Sequence, residues 1–392
     1  MSKTVIVSGA RTPVGKLGGA LSGFTASQLG GKAIKAALER AGLEGQDIGH
    51  VIMGSVLQGG QGQLPSRQAM HEAGIPWETE TETINKVCAS GMRSVTLGDI
   101  LIRAKEQDTI VAGGMESMSQ APFFVKGARF GFKMGEQKFH DMMIHDGLTC
   151  TFTGVHMGNY GNNVAKEHNL TREAQDEWSY QSHQKAGAAI ESGKFKEEIV
   201  PVEVPQRKGD PLVVENDESP RKDTSLERLG KLKPVFGAEG TITAGNAPGV
   251  NDGAAALVLM SEEKAKEKGL EPLATIIAHT QLAVEPENFP KTPGLVINKL
   301  LEKSGKSLDD IDLIEVNEAF AAVSLASGQI AGLDPEKINV NGGAVALGHP
   351  IGASGTRIIL TLAYELKRRG GGTGIASICS GGGQGDAIMI QV

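Results

Sequence analysis

The chain opens on an apolar, β-branched run, TVIVSGA (4–10), and a second follows, HVIMGSV (50–56). Short runs that are apolar at consecutive positions and bounded by glycine or polar residues predict strands buried on both faces. Between them ASQLGGKAIKAALERAG (26–42) repeats its apolar residues at helical spacing and closes on Gly42. Strand runs alternating with helical patterns predict an α/β protein with a substantially parallel sheet. Further on, TINKV (83–87) reads as a strand leading to Cys88, and ASGMRSVTLGDILIRAKEQ (89–107) as the helix after it.

The pattern then repeats. LERAGLEGQDIGHVI, from Leu38, aligns with LEKSGKSLDDIDLIE, from Leu301, 263 positions later. ASGMR (89–93) aligns with ASGTR (353–357), 264 positions later. Each ASG motif opens a helical pattern that leads to a glycine-rich strand, TIVAGGMESM (109–118) and GIASICSGGGQG (374–385). Two matches in one order at nearly one offset predict a duplicated α/β unit. The halves are expected at 1–118 with 250–270, and at 271–392. Residues 119–249 interrupt the repeat, hold five of the nine histidines, and contain one clear helix at 172–192. They read as an insertion packed over one half, of the kind that carries substrate binding on a rigid scaffold. GNAPGVNDGAAALVLMS (245–261) reads as the return into the first sheet.

Composition narrows the function. The formal net charge of −7 argues against non-specific nucleic-acid binding. No apolar run reaches the length of a membrane span, and the N-terminus has no signal-peptide pattern. Three widely spaced cysteines, Cys88, Cys150 and Cys379, form neither a disulfide framework nor a CxxC pattern, so a reducing cytoplasm is expected. His140 and His145 lack the spacing of a helical metal motif, so no metal site is expected. The 53 glycines in 392 residues are roughly twice the usual share, which points to many close backbone approaches.

Four clusters could carry chemistry. Cys88 stands where a predicted strand meets a predicted helix N-terminus, whose partial positive charge favours thiolate. A buried core thiol is the commoner occurrence, and local context leaves both readings open. His349, between Gly348 and Pro350, precedes the second ASG helix; if the halves face each other, it is a base for Cys88. Cys379 ends a strand-like run before three glycines, whose backbone N–H groups suit an oxyanion. Asn317 and Glu318 sit where a strand gives way to a helix, a place where Asn also serves as an N-cap.

NKVCASGMR, NEAFA, NGGAVALGHPIGASGTR and CSGGGQGDA, in this order along the whole chain, resemble the signature blocks of the thiolase family. HDGLT (145–149) and HMG (156–158) resemble its short-chain, acetoacetyl-CoA type. The resemblance implies two βαβαβαββ halves stacked in a five-layer αβαβα arrangement, with the large insertion in the first half. It implies an acyltransferase that condenses two acetyl-CoA to acetoacetyl-CoA through an acyl-cysteine. In those roles Cys88 is the nucleophile, His349 its base, and Cys379 the second acid/base. Asn317 with His349 forms one oxyanion hole, and the amides of Cys88 and Gly381 form the other. Leu148, His156, Met157, Phe236, Ala244, Ala319 and Phe320 would line the pantetheine and acyl tunnel. Arg221, in a basic stretch at 221–233, would meet a CoA phosphate. Coenzyme A thioesters are then substrates, no cofactor is implied, and a homotetramer is expected. A thiolase cutting longer 3-ketoacyl-CoAs and a non-catalytic acyl-CoA-binding protein are the alternatives. Two departures, Pro248 where the family usually has Ser and YGNN (160–163) where it has TAEN, bear on the CoA contacts.

Overall fold

The computed structural model describes residues 3–392. Ten strands form the main sheet, nine in a continuous row and a two-residue strand, Gly15–Lys16, that pairs beside Asn251 and Asp252. The nine are β1 (Thr4–Arg11), β2 (His50–Gly54), β3 (Glu80–Ile84), β4 (Thr109–Ser117), β5 (Asn251–Ser261), β6 (Ala274–Ala283), β7 (Leu313–Val316), β8 (Thr373–Ser380) and β9 (Gln384–Gln391). The main helices are α1 (Ala26–Ala41), α2 (Pro65–Glu72), α3 (Ser90–Arg103), α4 (Met157–Glu167), α5 (Arg172–Glu191), α6 (Thr292–Ser304), α7 (Ala321–Ala331) and α8 (Ser354–Arg368). Local chemistry explains the helix ends. Thr25 and Gln28 cap the start of α1 reciprocally, and Gly42 ends it at φ 63°.

The strand order is β7-β8-β9-β6-β1-β5-β4-β2-β3. The sheet is mixed, where the alternation of elements led to a largely parallel one. Only β2 with β3, β2 with β4, and β7 with β8 pair in parallel. In each half the last two strands pair antiparallel, although the links between them differ. In the second half the link is a three-residue turn containing Gly382 and Gly383, both at φ 80°. In the first half it is the whole insertion, after which β5 enters between β1 and β4. The halves join edge to edge through two residue pairs, Val5 with Thr275 and Ile6 with Ala274.

Helices and strands stack in five layers. α1 packs on β1, β4 and β5, with α2 beside it. α3 and α8 lie in the middle and touch strands of both halves. α6 packs on β6, β8 and β9, with α7 beside it. The duplication is imperfect. Where β2 pairs with the five-residue β3, β7 has only an isolated bridge from Ile314 to Ile338.

The repeated ASG motif is explained at the centre. The first turns of α3 and α8 meet backbone to backbone, and Thr356 Oγ1 donates to Gly91 O at 2.9 Å. A Cβ on Gly91 would fall 2.8 Å from Gly352 O, and one on Gly355 would fall 2.4 Å from Met92 N. Only glycine permits this approach from either side.

The segment 119–249 reaches both halves, not one. α4 and α5 pack on α7 of the second half. Its other end grips β1, where buried Arg11 donates to Glu198 (2.7 Å) and to both oxygens of Asp217 (2.7 and 2.9 Å). The segment thus roofs the junction between the halves, where the candidate site lies.

Candidate active site

Cys88 does not end a strand. β3 stops at Ile84, and residues 85–89 form a turn in which Val87 adopts φ 47°. A β-branched residue in the left-handed region is strained and persists only where surroundings hold it. Here Asn85 Oδ1 accepts the Val87 N–H at 3.0 Å, and Ser90 Oγ donates to Val87 O at 2.6 Å. The turn is tied to the second half as well: Ser380 Oγ donates to Lys86 O, and Lys86 Nζ pairs with Asp386 at 2.6 Å.

This turn presents Cys88 at an apolar cavity of about 310 Å³. His349 and Gly381, both from the second half, line the same cavity. Leu148, His156, Met157, Phe236 and Ala244 from the inserted segment line it too, as do Ala319 and Phe320. His156 stacks on Phe236 with ring centroids 4.5 Å apart, and its Nδ1 accepts the Gly158 N–H. Cys379 and Asn317 are completely buried and lie outside the cavity lining. Cys379 packs with Phe289, Ala319 and Phe320 and is close enough to Cys88 to feel its charge.

Arg221 stands apart from the thiol. It lines an adjoining polar cavity of about 680 Å³ with His183, Ser219, Thr224 and Arg228. The two cavities share Ala244, Ala247, Gly249 and Val250, so they form one continuous groove, apolar at Cys88 and basic at Arg221. Pro248 lines the apolar part. The YGNN segment has a structural explanation: Asn162 accepts the N–H groups of Thr241 and Ile242 and donates to Phe236 O, bracing the loop that carries Phe236.

The electrostatics differ from a simple helix-terminus thiolate. Burial pushes the Cys88 thiol up to about 12, although the amides of Gly381 and Cys88 itself pull it down. The resting group is therefore the neutral thiol, because desolvation outweighs the nearby dipoles. Burial also drives Cys379 well above the usual thiol range. His349 moves the other way, down to about 3, through burial first and the charge of Arg357 second.

His349 has a defined tautomer. Its Nδ1 lies 2.6 Å from Ser354 Oγ, and that hydroxyl donates onward to Pro350 O at 3.0 Å. The hydroxyl has one proton, so it accepts from Nδ1–H, and Nε2 carries the free lone pair. Nε2 is buried with no partner among the described residues. Both side-chain polar atoms of Asn317 are likewise buried and unpartnered. Asn317 caps no helix, since α7 starts four residues later at Ala321. It is held by its neighbour Glu318, whose carboxylate accepts from Trp178, Ser182, Asn339 and the Val345 amide, each at 2.9 Å. Buried polar groups without partners are costly, so they mark places where a ligand or water is meant to bind.

Sequence reasoning missed Ser354 and Asn251, which accepts the His349 N–H at 2.9 Å. The signal for Ser354 was the repeat itself. Ser354 lies 264 positions after Ser90, and both hydroxyls reach back to a carbonyl of the preceding turn.

A neutral thiol and a bare imidazole nitrogen, lining one cavity where two α/β halves meet, define a cysteine-centred α/β enzyme. The thiolase N-terminal domain pattern matches residues 4–263, and the thiolase C-terminal domain pattern matches residues 270–392. An acetyl-CoA acetyltransferase of Cupriavidus necator is 51% identical over 391 residues, covering 100% of each chain. A probable acetyl-CoA acyltransferase of Staphylococcus aureus is 47% identical over 391 residues, covering 100% of this chain and 99% of its own. The crystal structure of the Bacillus anthracis acetyl-CoA acetyltransferase matches with a TM-score of 0.97 at 42% identity, covering 100% of this chain and 99% of that one. The chain belongs to the thiolase family, and its fold is the thiolase fold. It is accordingly an acyltransferase.

Proposed function

We propose that the protein is an acetyl-CoA C-acetyltransferase that joins two acetyl-CoA into acetoacetyl-CoA and CoA, reversibly and by a ping-pong route. The observation that carries this is the pairing of a half-buried neutral thiol with an imidazole whose Nε2 is free and whose Nδ1 is tied to Ser354. His349 Nε2 takes the Cys88 proton as the sulfur attacks the thioester carbonyl. The CoA thiolate leaves with the Cys379 proton, and acetyl-Cys88 remains. The Cys379 thiolate then removes a proton from the methyl group of the second acetyl-CoA. The resulting carbanion attacks acetyl-Cys88, a C–C bond forms, the C–S bond breaks, and His349 returns a proton to Cys88.

Two oxyanions arise on this path, and preformed donors stabilise such charge without reorganisation. The amides of Cys88 and Gly381 face the sulfur and suit the one on the acyl carbon. Asn317, through a water, and the protonated His349 suit the thioester enolate. The basic end of the groove, with Arg221 and Arg228, suits the phosphates of coenzyme A. The small cavity at Cys88, closed by Met157, Phe236 and Phe289, supports a short acyl group. A cytoplasmic location and a tetramer complete the reading. The exposed Phe130, Met134 and Phe139 in the inserted segment support self-association.

Mass spectrometry after mixing with acetyl-CoA tests the proposal. An acetyl adduct on Cys88 is expected, and its absence sinks the mechanism. The Staphylococcus aureus relative's broader name keeps a longer-chain thiolase as the second reading. A faster rate on a ten-carbon 3-ketoacyl-CoA than on acetoacetyl-CoA would select it.

A further inference from the structure

One carboxylate beside the site takes no part in the steps above. Glu116, near the end of β4, is completely buried. Its Oε2 accepts the backbone N–H groups of Val56 (3.1 Å) and Gly352 (3.0 Å), and its Oε1 accepts that of Leu57 (3.1 Å). Val56 and Leu57 follow β2 in the first half. Gly352 precedes α8 in the second half, three residues after His349, and it is the position the 264-residue offset pairs with Cys88. The fit is tight: a Cβ on Gly352 would fall 2.8 Å from Glu116 Oε2 and 2.7 Å from Met115 O.

The turn 349–352 is therefore gripped at both ends from the first half. Asn251 accepts at His349 N, and Glu116 accepts at Gly352 N. We propose that Glu116 is a positioning residue for acetyl transfer, holding the His349 turn against the turn that carries Cys88. The inference rests on the reading of Cys88 as nucleophile and His349 as its base. Packing alone does not call for a carboxylate here, since burying a charge whose hydrogen-bond partners are backbone amides is costly. A carboxylate is the side chain that accepts three N–H bonds without presenting a donor.

The same surroundings supply a handle. Burial pushes the Glu116 carboxyl up to about 7, against the pull of the three amides. Asp252 on β5, bound to Ser119, faces it and adds to the rise. Cys88 lies within reach of its charge. Protonation turns one accepting oxygen into a donor and releases an amide, so the grip weakens as pH falls through about 7.

The test is rapid-mix acetylation of Cys88 by acetyl-CoA, read by mass spectrometry, over roughly pH 5.5 to 8.5. The wild-type rate is expected to fall below about pH 7. E116Q is expected to acetylate ~10–100-fold more slowly, because misplacement by about 1 Å has that effect, and to lose the fall. KM for acetyl-CoA should stay within about threefold, since Glu116 does not line the cavity. E116D, which restores the charge, should regain part of the rate and the pH-dependent fall. An E116Q rate within about twofold of wild type, or an E116Q profile that keeps the fall, overturns the inference. If E116Q does not fold, the wild-type profile decides: a fall near pH 7 supports the inference and a flat profile overturns it. Wild-type enzyme that gains no acetyl group on Cys88 at any pH overturns instead the reading on which the inference rests.

Discussion

Ser354→Ala isolates the tautomer of His349. In the structure the Ser354 hydroxyl is the acceptor of the Nδ1 proton at 2.6 Å, and both residues are buried, at 1% and 6% exposure. Alanine removes the acceptor where water has little access. An unsatisfied buried N–H costs about 1–3 kcal/mol. The ring escapes part of that cost by carrying its proton on Nε2, where a water in the cavity that His349 lines can accept it, and that tautomer cannot take the Cys88 proton. A penalty of 1–3 kcal/mol on the active tautomer corresponds to a ~5–150-fold slower acetylation, at about 1.36 kcal/mol per tenfold. KM should hold, because Ser354 does not line the cavity. The assay is rapid-quench detection of acetyl-Cys88, run beside thermal unfolding, where the lost hydrogen bond should cost only about 1 kcal/mol. An S354A enzyme that acetylates within about twofold of wild type would refute the tautomer argument.

Asn317→Ala should lower kcat by ~10²–10³, the usual loss for one oxyanion-hole donor. Its stability should change by less than about 1 kcal/mol, because the Asn317 side chain makes no hydrogen bond among the described residues; a lower unfolding midpoint with unchanged kcat contradicts this. For His349 the sign follows from a folded pKa near 3, below the unfolded value of 6.5. The unfolded chain gains the proton first, so this residue's contribution is complete above pH 6.5 and is lost as pH falls towards about 3. Between pH 6.5 and 5 the loss is about 2 kcal/mol, so urea unfolding of H349N should lose about that much less over this interval than wild type. Equal losses in the two proteins count against it. Gly355→Ala drives a methyl group to 2.4 Å from Met92 N, so it should destabilise by at least about 1–3 kcal/mol. An unchanged melting temperature would mean that the two central helices are not packed as described.

Some of this is written locally, residue by residue. Helix α1 appears where its apolar spacing, its Thr25–Gln28 cap and its Gly42 stop place it. The helix read at 172–192 appears at Arg172–Glu191. The duplication was visible because both halves keep the ASG glycines, and the structure shows why they are needed, with the two helix starts in backbone contact. The residue types of a thiol mechanism, and the motifs that carry them, were equally legible.

Other features were decided by the tertiary structure alone. A strand through Val87 looked natural for β-branched residues, yet contacts from Asn85 and Ser90 hold Val87 in the left-handed region, and Ser380 ties down the turn beside it. A thiolate at Cys88 looked natural beside a helix N-terminus, yet burial reverses the sign. The direction of pairing depends on which strands become neighbours across the insertion, and the reduced third strand of the second half leaves no mark in the repeat. The free nitrogen of His349 depends on one hydroxyl five residues on, and the grip on its turn depends on Asn251 and Glu116, 98 and 236 positions from the amides they bind. The sequence determined the elements and the reactive groups, because these follow from propensity and side-chain chemistry. Protonation state, orientation and reach depend on burial and on partners far along the chain, and only the folded arrangement settles those.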